Sequence, residues 1–367
     1  MDAQSLLGLI QVTLGIIFVM VCVNLYLIFR LKDIDPFAKW NPHAINGTLF
    51  LSFLILGTIA AFWSSSAYLE KMILVQHPAS AHGIQIDRMF SNTMWVAVFV
   101  TVVTNILLFY FAFRYRKRDG QKATYYPHNT ILELIWTAAP AIVLTFLIVD
   151  GILVWHDIVA EPEDNAIQIE MTGEQFLWNI RYPGADKEFG EAHVSFIDLG
   201  SGNTLGFNWE DEKGRDDVIA QELWLPVGRE INMNIRSKDV LHSMTMAHFR
   251  VKMDAVPGLT TNFKFTPTVT TDSMRQATGN PEFEYELSCQ QICGRSHWNM
   301  RKIIKVVSYE DYLIWKSEQK PFFATWLEMN NLTEQDMALK PTPQTEEEES
   351  VVEEESQEVA EKEVATI

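Results

Sequence analysis

Glu282-Phe-Glu-Tyr-Glu-Leu-Ser-Cys289-Gln-Gln-Ile-Cys293-Gly-Arg-Ser-His297-Trp-Asn-Met300 is two messages in one stretch. In its first half Phe283, Tyr285, Leu287 and Cys289 alternate with Glu282, Glu284, Glu286 and Ser288. Period two is the signature of a half-buried strand, and it delivers Cys289 onto the apolar face. Upstream, Ile231, Met233 and Ile235 alternate with Glu230, Asn232, Asn234 and Arg236 in the same way. Turn signals at Pro183-Gly184, Pro226-Val227-Gly228, Pro257-Gly258 and Gly279-Asn280-Pro281 cut the region from Gln168 to Val307 into pieces of comparable size. The pattern predicts a small all-β domain, a Greek-key sandwich or barrel.

The second half carries the chemistry. Cys289, Cys293, His297 and Met300 fall within twelve residues. Thiolate and thioether select copper, imidazole completes such a site, and zinc has no use for the methionine. His242, just past the strand that ends near Asp239, supplies a second imidazole where a Greek key can fold it over the loop. A Cys289–Cys293 disulfide leaves His297 and Met300 without a role. A mononuclear blue-copper site leaves one thiolate unused. Two coppers sharing both thiolates use every ligand, with one His on each, Met300 axial to one and a backbone carbonyl axial to the other. That is the expectation, with the disulfide and the single copper as its rivals.

The chain of 367 residues carries a formal charge of −18, unevenly spread. Met1–Trp155 is +2, His156–Lys340 is −11 and Pro341–Ile367 is −9. The acidic excess excludes sequence-independent nucleic-acid binding, which needs cations for phosphates. Three Cys exclude a disulfide scaffold. Uncharged runs at Leu6–Phe29, Trp40–Leu69 and Met89–Phe113 each exceed the ~20 residues of a membrane-spanning helix. A fourth, Leu134–Val149, spans if extended to Trp155, with Glu133 and Asp150 near the interfaces. Met1–Ser5 has no Lys or Arg and carries Asp2, a poor leader sequence. Arg30, Lys32 and Lys39 follow the first span, and Arg114, Arg116, Lys117, Arg118 and Lys122 follow the third. The loop between the second and third has only Lys71 and Arg88. The basic loops therefore face the cytoplasm and the β domain the exterior.

The remaining segments receive plainer readings. Ala185–Gln221, with the run Trp209-Glu-Asp-Glu-Lys-Gly-Arg-Asp-Asp217, does not match calcium-loop spacing and reads as a solvated surface insertion. Ser308–Lys320 reads as a helix capped by Ser308. The Glu-rich, aromatic-free tail 341–367 reads as disordered.

These residues resemble one family: subunit II of haem-copper cytochrome c oxidases, whose external cupredoxin domain carries the dinuclear CuA centre. The resemblance rests on Cys-x-[Glu/Gln]-x-Cys-x-x-x-His-x-x-Met and on four blocks in order. These are Glu133-Leu-Ile-Trp136-Thr137-Ala-Ala-Pro140, Gly173-Glu-Gln175-Phe176-Leu-Trp178, Asp239-Val-Leu-His242-Ser243 and Lys252-Met-Asp254-Ala255-Val-Pro257-Gly258. It covers about Asn92 to Lys320; the first two helices lie outside it, because the usual subunit has two.

The four uncharged runs give four transmembrane helices and the resemblance adds a cupredoxin-like domain after them, so the chain divides into an extra N-terminal region 1–90, a family-type hairpin 91–160, a copper domain 161–320, an extension 321–340 and the tail 341–367. It implies that Cys289 and Cys293 bridge two coppers, His242 and His297 end them, Met300 is axial and Gln291 offers its carbonyl. Gln291 stands where several members have a Glu that also ligates Mg2+ at the subunit I contact. A neutral amide is a weaker ligand for that hard cation, so magnesium does not carry over. Phe176 stands where many members have the Trp that receives electrons; Trp178 and Trp298 are alternatives. Glu133 matches the carboxylate at the mouth of a proton pathway.

The implied function is electron uptake from cytochrome c, or from a cytochrome c domain of a neighbouring complex. Delivery is to the haem/CuB subunit I of a proton-pumping terminal oxidase in a bacterial inner membrane. The alternatives are the CuA subunit of a nitric oxide reductase type enzyme and a membrane-tethered copper carrier. No Cys-x-x-Cys-His is present, so no fused cytochrome c is expected.

Overall fold

The computed structural model describes residues 3–32, 41–69, 72 and 77–338. The tail 341–367, and Asp2, Lys39 and Lys71 of the charge arguments, lie outside the described residues. Four helices among those residues are long and apolar enough to cross a membrane: α1 (Ala3–Leu31), α2 (Pro42–Leu69), α3 (Ala81–Arg114) and α4 (Thr130–Val159). The chain separates into two compact units, Met1–Val75 with Phe90–Leu147, and Gln76–Met89 with Ile148–Ile367.

Within the first unit α2 packs on α3 through rings, with Phe50 and Phe53 at 6.1 and 5.6 Å from Phe109. Gly47 allows the close approach: a Cβ there would stand 2.9 Å from Arg116 Cδ and 3.1 Å from Phe113.

The second unit is the β domain with the start of α3 and the end of α4. Helix α3 begins eight residues before the uncharged run at Met89, so Asp87 and Arg88 lie inside it. Both charges are paired: Asp87 accepts from Arg250 at 2.7 and 2.9 Å, and Arg88 meets Asp150 of α4 at 3.1 Å. Helix α4 likewise runs past Trp155 to Val159, and Val154 and Ile158 are buried in the domain's core. One face of the last turns of α4 therefore packs on the domain, while Ile152, Leu153 and Trp155 stay exposed. Ahead of α3, Ala79 and Ser80 add rungs to the domain: Ala79 N donates to His248 O, Thr268 N to Ala79 O, and Ser80 bridges Pro267.

Among the described residues ten strands form two five-stranded sheets. They are β1 (Ile167–Glu174), β2 (Leu177–Tyr182), β3 (Val218–Ala220), β4 (Leu223–Pro226), β5 (Ile231–Ser237), β6 (His242–Met246), β7 (Val251–Ala255), β8 (Thr261–Phe265), β9 (Tyr285–Cys289) and β10 (Arg301–Val307). The orders are β3-β2-β1-β5-β8 and β4-β10-β9-β6-β7, a sandwich with crossed connections. The two alternating stretches are β5 and β9, and their apolar members Ile231, Met233, Ile235, Tyr285, Leu287 and Cys289 are all buried. A short helix α5 (Thr271–Thr278) crosses between β8 and β9. Helix α6 (Tyr309–Ser317) starts as expected at Ser308, whose Oγ accepts from Asp311 N at 3.1 Å. It stops before Lys320 because Pro321 follows.

The segment 185–221 is only in part the solvated insertion expected from its charge: residues 193–196 and 198–200 are exposed, but its second half is packed down. Phe207 and Trp209 are buried and meet Phe323, Trp326 and Leu327 of α7 (Phe322–Asn330) in a second hydrophobic cluster, and the buried Asp217 accepts from Phe322 N at 2.8 Å through its carbonyl. A final turn, α8 (Glu334–Ala338), follows. Each large apolar side chain buried this way contributes about 1.5–3 kcal/mol, enough to hold a charged loop down. Beneath the cluster Arg181, 2% exposed, donates Nη1 to Glu170 at 3.2 Å, Nε to Asp217 at 2.9 Å and Nη2 to Gly190 O. The acidic residues at this point neutralise a buried guanidinium.

Candidate metal centre

Strand pairing brings the donors together. Cys289 ends β9, opposite Met244 of β6, so His242, which opens β6, stands beside it. Cys289 N donates to Met300 O at 3.2 Å and Gln290 N to Ser243 O at 3.0 Å. These bonds fix both ends of the loop between β9 and β10. Within it, a short 3-10 turn, His297–Asn299, directs His297 and Met300 back inward.

The ligand atoms fall into two sets. Cys289 Sγ is 3.9 Å from His242 Nδ1 and 3.3 Å from the Gln291 carbonyl oxygen. Cys293 Sγ is 3.5 Å from His297 Nδ1 and 3.8 Å from Met300 Sδ. Among the described residues, the His242, Cys289 and Cys293 ligand atoms lie within 4.8 Å of one another. Both thiols are free, so the disulfide rival is not the state seen. Two soft thiols, two imidazole nitrogens, a thioether and a carbonyl fit copper by donor chemistry. Burial pushes the Cys293 thiol up to about 11, and the Cys289 sulfur beside it adds to the shift. A metal entering here displaces protons.

Asp239 orients one ligand. Its Oδ1 lies 2.8 Å from His242 Nε2, and its Oδ2 accepts from Gln175 N at 2.7 Å. Partial burial works to raise its pKa, but hydrogen bonds from His242, Gln175 and Val240 hold the carboxyl below its usual range. An ionised carboxylate only accepts, so Nε2 carries the proton and Nδ1 keeps its lone pair for a metal. Gly173 leaves room for the ring: a Cβ there would be 3.0 Å from His242 Cδ2 and from Trp178 Cζ3. Trp178 is 1% exposed and meets His242 edge-on at 5.9 Å.

Phe176 sits with Gln175 at the tip of the β1–β2 hairpin, half-buried against Gly294. Gln175 Nε2 donates to Cys293 O at 2.5 Å. Trp298 is 77% exposed and Ile292 85%. Gln291 is exposed. Glu133 belongs to the helical unit and takes no part in the cluster. It lies in the first turn of α4, and its Oε1 accepts from Asn129 N at 3.2 Å while Asn129 Oδ1 accepts from Leu132 N. The roles of Asp239, Gln175 and Gly173 were missed in the sequence. The three-residue spacing Asp239–His242 was the one available signal.

Two family profiles match the chain: cytochrome c oxidase subunit II, transmembrane domain, over residues 68–152, and its periplasmic domain over 167–307. The alternative cytochrome c oxidase subunit 2 of Bradyrhizobium diazoefficiens is 32% identical over 247 residues, covering 67% of this chain and 84% of that protein. Cytochrome c oxidase subunit 2 of Cereibacter sphaeroides is 24% identical over 253 residues, covering 67% and 79%. The crystal structure of the periplasmic domain of subunit II from Bradyrhizobium japonicum covers 45% of this chain and 99% of its own. Its identity is 23% and its TM-score 0.31, so the fold assignment rests on the strands described above. With profiles spanning both the helical hairpin and the β domain, and the donor set in place between β6, β9 and β10, the chain belongs to the cytochrome c oxidase subunit II family.

Proposed function

We propose that this chain is the electron-accepting subunit of a membrane-bound terminal oxidase. It takes electrons from cytochrome c at a dinuclear CuA centre and passes them to a haem/CuB subunit I, where O2 is reduced to water with proton translocation. The observation that carries the reading is the pairing of donors: each sulfur has its own imidazole and its own weak ligand. A single copper would leave one such set idle. Copper bound there supplies a one-electron redox centre. The chain's part is to hold two donors, His242 and Cys289, at strand ends and four on the anchored loop between β9 and β10, and to keep the His242 tautomer fixed, so little must rearrange when charge changes.

Phe176 and Trp178 are assigned to the side where electrons arrive, because one packs on the ligand loop and the other on His242. Glu133 is assigned to proton uptake on the cytoplasmic side. The setting is a bacterial inner membrane with the copper domain in the periplasm, and the partners are subunit I, other oxidase subunits and lipid. Division of the chain at residues 90, 160, 320 and 340 remains part of this reading. The test is the EPR spectrum of the gently purified complex. One unpaired electron shared over two copper nuclei supports the assignment, and a single-copper pattern overturns it.

A further inference from the structure

We infer that Gln175, which donates nothing to a metal, is a positioning residue: it ties the β1–β2 hairpin tip to both ligand-bearing segments and sets where Cys293 stands relative to His242. The inference deepens the copper reading above and rests on it for its spectroscopic arm only.

One residue makes two different bonds. The Gln175 side chain donates to the Cys293 carbonyl at 2.5 Å, 118 residues away in sequence. Its own N–H donates to Asp239 Oδ2 at 2.7 Å, and Asp239 Oδ1 receives the His242 Nε2 proton at 2.8 Å. The ligand loop is anchored at its ends by Cys289 N to Met300 O and Gln290 N to Ser243 O. Gln175 grips it near the middle, at the peptide that carries Cys293.

The seat is fitted. Gly294 has φ 142, and a Cβ there would stand 2.8 Å from Phe176 Cε1 and Cζ and 2.9 Å from Gln175 Nε2. Only glycine lets the ring and the amide lie against the Cys293–Gly294 peptide together. An exposed glutamine with no such duty tolerates most substitutions. This one has a donor that must reach a fixed carbonyl.

The experiment uses Gln175→Met, which keeps length and neutrality but has no donor, and Gln175→Arg, whose Nε–H falls at the same reach. In the full-length, copper-depleted and reduced chain, alkylation is followed on the Cys293 peptide by mass spectrometry. Losing one neutral hydrogen bond of about 1 kcal/mol is worth about fivefold in loop opening. The Met variant should therefore react about fivefold faster, and the Arg variant at the wild-type rate. In the copper-loaded complex the Met variant should also show altered copper hyperfine splitting. A Met variant with the wild-type alkylation rate and wild-type hyperfine splitting overturns the inference. If the wild-type spectrum itself lacks a two-copper pattern, the copper reading falls, while the copper-free rates still decide the role of Gln175.

Discussion

Asp239 shows what a single side chain contributes here: it neither binds metal nor faces the core, yet it selects which nitrogen of His242 is free. Partners of this kind are typically worth 10–100-fold in metal affinity. Asp239→Ala should weaken copper binding by about that factor in a competition titration, whereas Asp239→Asn, which keeps an acceptor for Nε2–H, should lose much less. Equal losses would show that charge, not orientation, is what matters. Asp217 is a second residue with a readable titration. Burial raises its carboxyl to about 6, more than the opposing pull of Arg181 lowers it. The unfolded carboxyl titrates near 3.9, so between those values the folded chain holds the extra proton. Its contribution is therefore most favourable at low pH and is lost as pH rises through about 6. Relative to Asp217→Asn, the wild-type domain should gain a few degrees of thermal midpoint between pH 7.5 and 5. A constant gap across that range would remove Asp217 from the account. Sequence could expose Cys289 and His297, whose types speak for themselves. It could not expose Asp217 or Gln175, whose meaning lies in partners far along the chain.

At the scale of elements, the strands announced themselves and the cover over them did not. β5 and β9 were legible because period-two alternation is local, and α6 because Ser308 and Asp311 lie three residues apart. The packing of Phe207 and Trp209 on Phe323 and Trp326 joins segments more than a hundred residues apart, and the intervening charges masked it. The start of α3 was misread for a related reason: Asp87 looks like a helix boundary until Arg250 is seen beside it. Helix α4 supplies a prediction. Glu133 already has a structural duty, accepting from Asn129 N to close the first turn. Gln keeps that acceptor, so if capping is its whole function Glu133→Gln should behave as wild type. The proposed proton role instead requires Glu133→Gln to slow proton uptake by the reconstituted oxidase about as much as Glu133→Ala, with the copper spectrum unchanged in both.

For the whole molecule, the overall charge of −18 conceals a division of labour. The region His156–Lys340 carries −11 of it, while the membrane part is nearly neutral. A donor with a basic docking face is steered by such a field, and the steering is screened within about 8–10 Å at physiological salt. The second-order rate with a basic cytochrome c should fall steeply between about 20 and 200 mM salt, while the rate within the formed complex stays level. A salt-independent association rate, measured by stopped flow, would show that the acidic excess of this region serves solubility alone.

The bond between Asp87 and Arg250 bears on how such a chain is made. Asp87 leaves the ribosome with α3, but Arg250 follows 163 residues later, after α4 and strands β1–β6. At synthesis rates of about 5–20 residues per second, the α3 tip waits on the order of ten seconds for its partner. Throughout that interval its carboxylate and the buried positions of Ala79, Ser80 and His82 stand without the domain that later encloses them. The tip of α3 therefore reaches its final packing only after the chain has been made as far as Arg250, and until then it depends on its own short-range structure.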